Sequence, residues 1–134
     1  MDIKINSFRN IKPINIGISD ADGKLPLYCN DTGNRGGDSF SEVASDRNKQ
    51  LVLAVKPLLS ILDQEHVKKI DILKLDIEGF EKQVMQKFFD DAPISLSPKF
   101  ICTEICHTAE VIDLIMGAGY RIVLSARENC ILAR

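Results

Sequence analysis

Lys74, Asp76 and Glu78 stand at every second position of the stretch "DILKLDIEGFE", residues 71 to 81, with Gly79 directly after them and Glu81 two residues further on. Groups of this kind pair with one another, move protons or ligate hard metal ions. The stretch is otherwise apolar, so it reads as a strand. In an inner strand of a parallel sheet both faces are covered, and nearly continuous apolar sequence is the rule. Alternation then puts Asp71, Leu73, Leu75 and Ile77 on one face, and Ile72, Lys74, Asp76 and Glu78 on the other. Unpaired charges buried there would each cost several kcal/mol, so they must be paired or face a solvated crevice. Ligands of open α/β sheets sit outside the carboxyl ends of the strands, which is where these charges fall. Gly79 lets the chain turn sharply and leaves room for close approach to the backbone.

A second apolar run repeats the feature. "FICTEIC" ends with Glu104, and His107 lies just past it. Two readings compete: a Lys74–Asp76 ion pair beside a glycine turn, or a functional site built from two adjacent strand ends. If Lys74 is the buried partner of Asp76, Asp76→Ala should destabilise by roughly 1–3 kcal/mol, because a lone charge would remain. Asp76, Glu78, Glu104 and His107 could also ligate Mg²⁺ or Mn²⁺. This is the weaker alternative, and no metal is expected. His107 taken alone reads as an exposed residue at a helix start.

The elements that would position these residues follow from pattern. "IKPINIGI" and "LPLYC" read as extended pieces joined by the turn "SDADGK", in which Asp-Gly is the strongest local signal. Residues 30 to 50 are polar and glycine-rich, which predicts a long surface loop. "LVLAV" predicts a strand, and Pro57 suits the first turn of the helix "PLLSILDQE". After the charged strand, "EKQVMQKFF" predicts a helix with Val84, Met85 and Phe88 on its core face. "KFICTEIC" is a strand. Thr108 can cap the helix "AEVIDLIMGAG", and Gly117 and Gly119 mark its end. "YRIVLSA" and "NCILAR" close the chain as a hairpin through "REN". Strands alternating with helices predict an α/β fold, a mostly parallel sheet with an antiparallel last strand and helices packed on it.

With 134 residues the chain is read as one domain, residues 1 to 134, large enough for a real core. A net charge of −2 gives no electrostatic reason to expect nucleic acid or membrane binding. No apolar run approaches the roughly 20 residues of a membrane span, and the start lacks the pattern of a secretory signal, so a soluble, cytoplasmic protein is expected. Cys29, Cys102, Cys106 and Cys130 form no CxxC pair. Cys102 and Cys106, four residues apart in an extended segment, are about 13 Å apart, too far for a disulfide. Reduced core thiols are expected, and no ligand pair has the short spacing of a zinc site.

"IDILKLDIEGFEKQVMQ" resembles the signature of FkbM-type methyltransferases, enzymes that use S-adenosylmethionine (SAM). The family motif, Lys-hydrophobic-Asp-hydrophobic-Glu-Gly-x-Glu, is matched by Lys74, Asp76, Glu78, Gly79 and Glu81. "NIGISDADGKLPLYC", "GNRGGDSF", "FICTEIC", "GAGYRI" and "NCILAR" resemble further family pieces in the right order, so the likeness spans roughly residues 11 to 134. It implies a Rossmann-like methyltransferase sheet and SAM as methyl donor. Asp76 and Glu78 would line the mouth where the donor meets a substrate hydroxyl, and Lys74 would keep a carboxylate ionised and positioned. Glu104, His107, Gly79 and Glu81 would bind substrate or support these groups. The sequence lacks the family's "D-x-G-A-N-x-G" loop and the acid that follows its second strand, the elements that approach the nucleoside and ribose. It also has "AVKPLLSIL" where the family carries a Thr-x-x-Asp element. The expectation is therefore an amino-terminally truncated domain of an O-methyltransferase acting on a small molecule or sugar. The alternative is a non-catalytic methyltransferase-fold module. In either case an exposed sheet edge would pair with a second copy or with a complementing chain.

Overall fold

The computed structural model describes residues 9–28, 50–77, 79–104, 109–127 and 129–134. In chain order its elements are β1 (Gly17–Ser19), β2 (Gly23–Tyr28), β3 (Gln50–Pro57), α1 (Leu58–Gln64), β4 (Ile72–Lys74), α2 (Glu81–Asp91), a 3-10 turn (Ile94–Leu96), β5 (Phe100–Glu104), α3 (Ala109–Gly117), β6 (Arg121–Ala126) and β7 (Asn129–Ala133). This is the order the sequence predicts. The glycine-rich stretch, Cys29, Cys106 and the Thr108 cap lie outside the described residues. Pro57 ends β3 and stands at the N-cap of α1, where its missing N–H leaves no helical bond unmade. Gly119 takes the positive φ of 94° that ends α3, a conformation open to glycine without Cβ strain.

The strand pairing corrects the sequence-based expectation of one mostly parallel sheet. Among the described residues two mixed sheets form, one ordered β1-β3-β2 and one ordered β4-β5-β7-β6. There β1–β3 and β4–β5 pair in parallel, and β2–β3, β5–β7 and β6–β7 pair antiparallel. The reasons are local. A short turn between Ser19 and Gly23 reverses the chain, so β1 and β2 run oppositely on either side of β3. The tight turn after Ala126, with Arg127 at φ 53°, folds β7 back along β6, and the far edge of β7 then pairs with β5. The expected terminal hairpin forms, and its second strand is inserted between β5 and β6.

The core lies between the helices and one face of the four-stranded sheet. Val84, Met85 and Phe88 of α2 are buried as their spacing predicts, together with Val111, Ile112 and Ile115 of α3, Leu58 of α1, and Ile101, Cys130 and Leu132 of the sheet. Burial of this apolar surface is the main stabilising contribution. Cys102 and Cys130 are free thiols, and burial raises the Cys130 pKa, which disfavours the reactive thiolate. Among the described residues no helix is long and apolar enough to cross a membrane.

The start of β6 is latched to the entry of β5. The buried Tyr120 hydroxyl donates to the Pro98 carbonyl at 2.7 Å, and the Arg134 guanidinium lies 5.9 Å from the centre of the Tyr120 ring. Burial is the main influence raising the Tyr120 pKa, with Arg134 opposing it. A pKa raised on folding contributes stability that is complete below the unfolded value, near 10, and is lost as pH rises through the folded value. Tyr120→Phe should therefore cost about 0.5–1.5 kcal/mol at neutral pH and flatten the alkaline decline. Urea unfolding at neutral pH and above pH 10 checks both effects.

Candidate active site

Parallel pairing sets the frame of the site. Ile72, Leu73 and Lys74 of β4 lie opposite Phe100, Ile101 and Cys102 of β5, and the Leu75 N–H donates to the Cys102 carbonyl at 2.8 Å. The predicted alternation holds from Ile72 to Ile77. Leu75 is buried and Leu73 and Ile77 half-buried on one side, while Ile72, Lys74 and Asp76 are exposed on the other. The strand itself is shorter than predicted, and among the described residues it stands at the edge of its sheet rather than inside it. It tolerates charge because Lys74 and Asp76 are about half exposed and keep much of their hydration.

The Lys74 ammonium donates to Asp76 Oδ2, and the two side chains are 56% and 47% exposed. The hydrogen bond to Asp76 is the main influence raising the Lys74 pKa; partial burial opposes it, and the charges of Asp76, Cys102 and Glu104 reinforce it. The pair is therefore solvated, which corrects the stability cost expected for a buried one. An exposed ion pair is worth about 0–1 kcal/mol. Asp76→Ala should shift the urea-unfolding free energy by less than ~1 kcal/mol, and a loss near 3 kcal/mol would show that the pair is shielded from water.

Beyond Asp76 the chain turns into α2, and Glu81 holds the turn. One of its carboxylate oxygens accepts the Ile77 N–H at 3.0 Å, and the other accepts the Gly79 N–H at 2.9 Å. Glu81 is 5% exposed at the first turn of α2, where backbone N–H groups favour a carboxylate. Gly79 has φ 93°, a conformation L side chains rarely adopt. Two anionic hydrogen bonds thus tie the Ile77 and Gly79 backbone to the start of α2. Glu81→Ala leaves both N–H groups without their acceptor and should destabilise by about 2–3 kcal/mol, with Glu81→Gln intermediate because it keeps one strong acceptor. Chemical denaturation of the two variants checks the ranking.

The structure thus brings together Lys74, Asp76, Gly79 and Glu81, with Glu104 at the end of β5 within electrostatic reach of Lys74. Glu78 and His107 lie outside the described residues. Among the described residues no three His, Cys, Asp or Glu side chains gather as metal ligands. Sequence reasoning missed that Cys102 lies directly opposite Lys74 in the register. Glu81, grouped in the sequence reading with the substrate-binding or supporting residues, accepts two backbone N–H groups of the turn. Its spacing, two residues after a turn glycine and at a helix start, is the sequence signal for that particular contact. A cavity of about 450 Å³ lined by Asp20, Lys82, Gln83, Gln86, Lys87 and Asp90 lies along the polar face of α2 and includes none of these site residues.

Compared with models of known protein families, the chain matches the Methyltransferase FkbM domain over residues 3–122. No significant match is found among curated proteins or solved structures.

Proposed function

The chain belongs to the FkbM methyltransferase family, and from that premise we propose that it takes part in SAM-dependent methylation of a hydroxyl on a small molecule or sugar, with the β4 exit as the acceptor side of the site. The observation that carries the proposal is the Lys74–Asp76 pair at the carboxyl end of a parallel strand, leading into a glycine turn braced by Glu81.

The described residues suit an alcohol acceptor. The half-exposed carboxylate of Asp76 can accept a hydroxyl hydrogen bond, the half-buried Glu104 stands at the end of the neighbouring strand, and Gly79 presents backbone without a side chain. SAM, when bound, supplies an electrophilic methyl group on a sulfonium and leaves as the neutral thioether. The chain's own part is to hold the acceptor oxygen in line and to remove its proton as the carbon–oxygen bond forms. Asp76 or Glu78 takes that proton. Lys74 hydrogen-bonds the carboxylate of Asp76 and limits its rotation. Glu104, at the end of β5, borders the acceptor from the neighbouring strand, and His107, three residues further on in the sequence, is carried over as a candidate by the family resemblance alone.

Calorimetric titration with SAM tests the proposal. Saturable binding with Kd of about 0.1–1 mM is expected. Absence of heat at several times that concentration would overturn SAM use by this chain.

A further inference from the structure

A small hollow lies at the amino end of β5, the opposite end of the strand from Glu104. Its volume is about 210 Å³, and its walls include Phe88, Phe89 and Ala92 from the end of α2, Ala118 just past α3, Ser97 after the 3-10 turn and Arg134 just past β7. Most of that lining is apolar, so water inside it gains few hydrogen bonds. The rings of Phe88 and Phe89 are 6.0 Å apart between centres, and those of Phe89 and Tyr120 also 6.0 Å, each pair tilted. A wall of tilted rings accepts the edge or the face of another ring.

The polar side of the hollow is one guanidinium held in place. Arg134 Nη1 donates to Ser97 Oγ at 2.8 Å, and the guanidinium centre lies 5.9 Å from the centre of the Tyr120 ring. Tyr120 is itself tied down by the hydrogen bond from its hydroxyl to the Pro98 carbonyl. Among the described residues no side-chain carboxylate pairs with Arg134. A guanidinium offers several N–H donors in a planar fork, and Ser97 occupies only part of it. The remainder matches a carboxylate, which such a fork binds through parallel hydrogen bonds.

We propose that this hollow binds a small aryl carboxylate, with its ring against Phe88, Phe89 and the two alanines and its carboxylate on Arg134. Volume selects the size. Pockets for drug-sized ligands run to about 300–1,000 Å³, so a hollow of about 210 Å³ suits a single ring. Charge selects the head group, because a neutral ring would leave the guanidinium without a counter-ion. The aromatic wall selects the body, because an acid without a ring forgoes those contacts. Asp76 and Glu104 stand at the carboxyl ends of the strands, so this ligand is not the methyl acceptor, and the proposal does not rest on the methyltransferase reading.

Titration of the purified chain with benzoate, followed through backbone amide chemical shifts, tests the proposal. Saturable shifts at Ser97, Ala118 and Arg134 are expected, with Kd on the order of 1 mM. Benzamide, the neutral counterpart, and acetate, the head group without the ring, should each bind at least about tenfold more weakly. Arg134→Met removes the charge from an exposed side chain and should erase the preference for benzoate over benzamide. Ala118→Leu fills the hollow and should abolish binding of both. The comparison of the three probes on the wild-type chain decides even if a variant fails to fold. Equal affinity for benzoate and benzamide would show that the guanidinium only offsets the carboxyl ends of α2 and α3. That result overturns the proposal, as do acetate binding as tightly as benzoate, no saturation at several times the expected Kd, shifts confined to other residues, or a folded variant that binds as the wild type does.

Discussion

Asp76→Asn is expected to lower methyl transfer to a hydroxyl acceptor by about 10²–10⁴-fold, the usual contribution of a positioned general base. Asparagine preserves the shape of the side chain and can still accept the Lys74 hydrogen bond, but it cannot take up the acceptor's proton. The fold should barely notice. The Lys74–Asp76 pair is half-exposed, and a solvated pair contributes at most about 1 kcal/mol. A loss of rate with the unfolding transition in place therefore isolates the chemistry from stability. Glu78→Gln, at the next position on the same face of the sequence pattern, is the companion variant. If Asp76→Asn keeps the wild-type rate while Glu78→Gln loses it, the base is Glu78 and Asp76 only anchors Lys74. Wild-type rates in both would remove the β4 exit from proton transfer.

Phe88→Ala should destabilise by about 3–5 kcal/mol. Phe88 is 2% exposed on the face of α2 that also buries Val84 and Met85, and its ring centre is 6.0 Å from that of Phe89. The helix packs against α1, α3, β1 and β3, so a void here is bordered by several elements that cannot all close on it. A domain of this size has about 5–15 kcal/mol in total, so the variant should unfold at a much lower urea concentration. A loss below about 1.5 kcal/mol would mean that the neighbouring elements collapse into the space and that the core is centred elsewhere.

Local features were legible in the sequence. Val84, Met85 and Phe88 announced the buried face of α2, Pro57 the start of α1, and Asp-Gly the turn between β1 and β2. The Ile72–Ile77 alternation placed Lys74 and Asp76 on the opposite side from Leu75, as observed. Each is decided by neighbours within a few residues. Strand partnership was not legible, because apolar alternation says which side of a strand is buried and nothing about which strand lies beside it. Hence the insertion of β7 between β5 and β6, the separate β1-β3-β2 sheet, and the edge position of β4 had to come from the structure. The exposure of Lys74 and Asp76 also settles whether they pair in a dry or a wet environment, which pattern alone left open. The Glu81 brace was hidden for a similar reason. A carboxylate accepting two backbone N–H groups depends on the geometry of the turn at Gly79 more than on residue type.

The central claim is that the acids at the exit of β4 serve methylation of an oxygen. The most direct measurement incubates the chain with SAM carrying a labelled methyl group and a panel of hydroxylated small molecules and sugars, then locates the label by mass spectrometry and NMR. The account predicts label as a methyl ether on acceptor oxygen, in wild type and not in Asp76→Asn. Label on nitrogen or carbon, or none on any acceptor at saturating SAM, would contradict it.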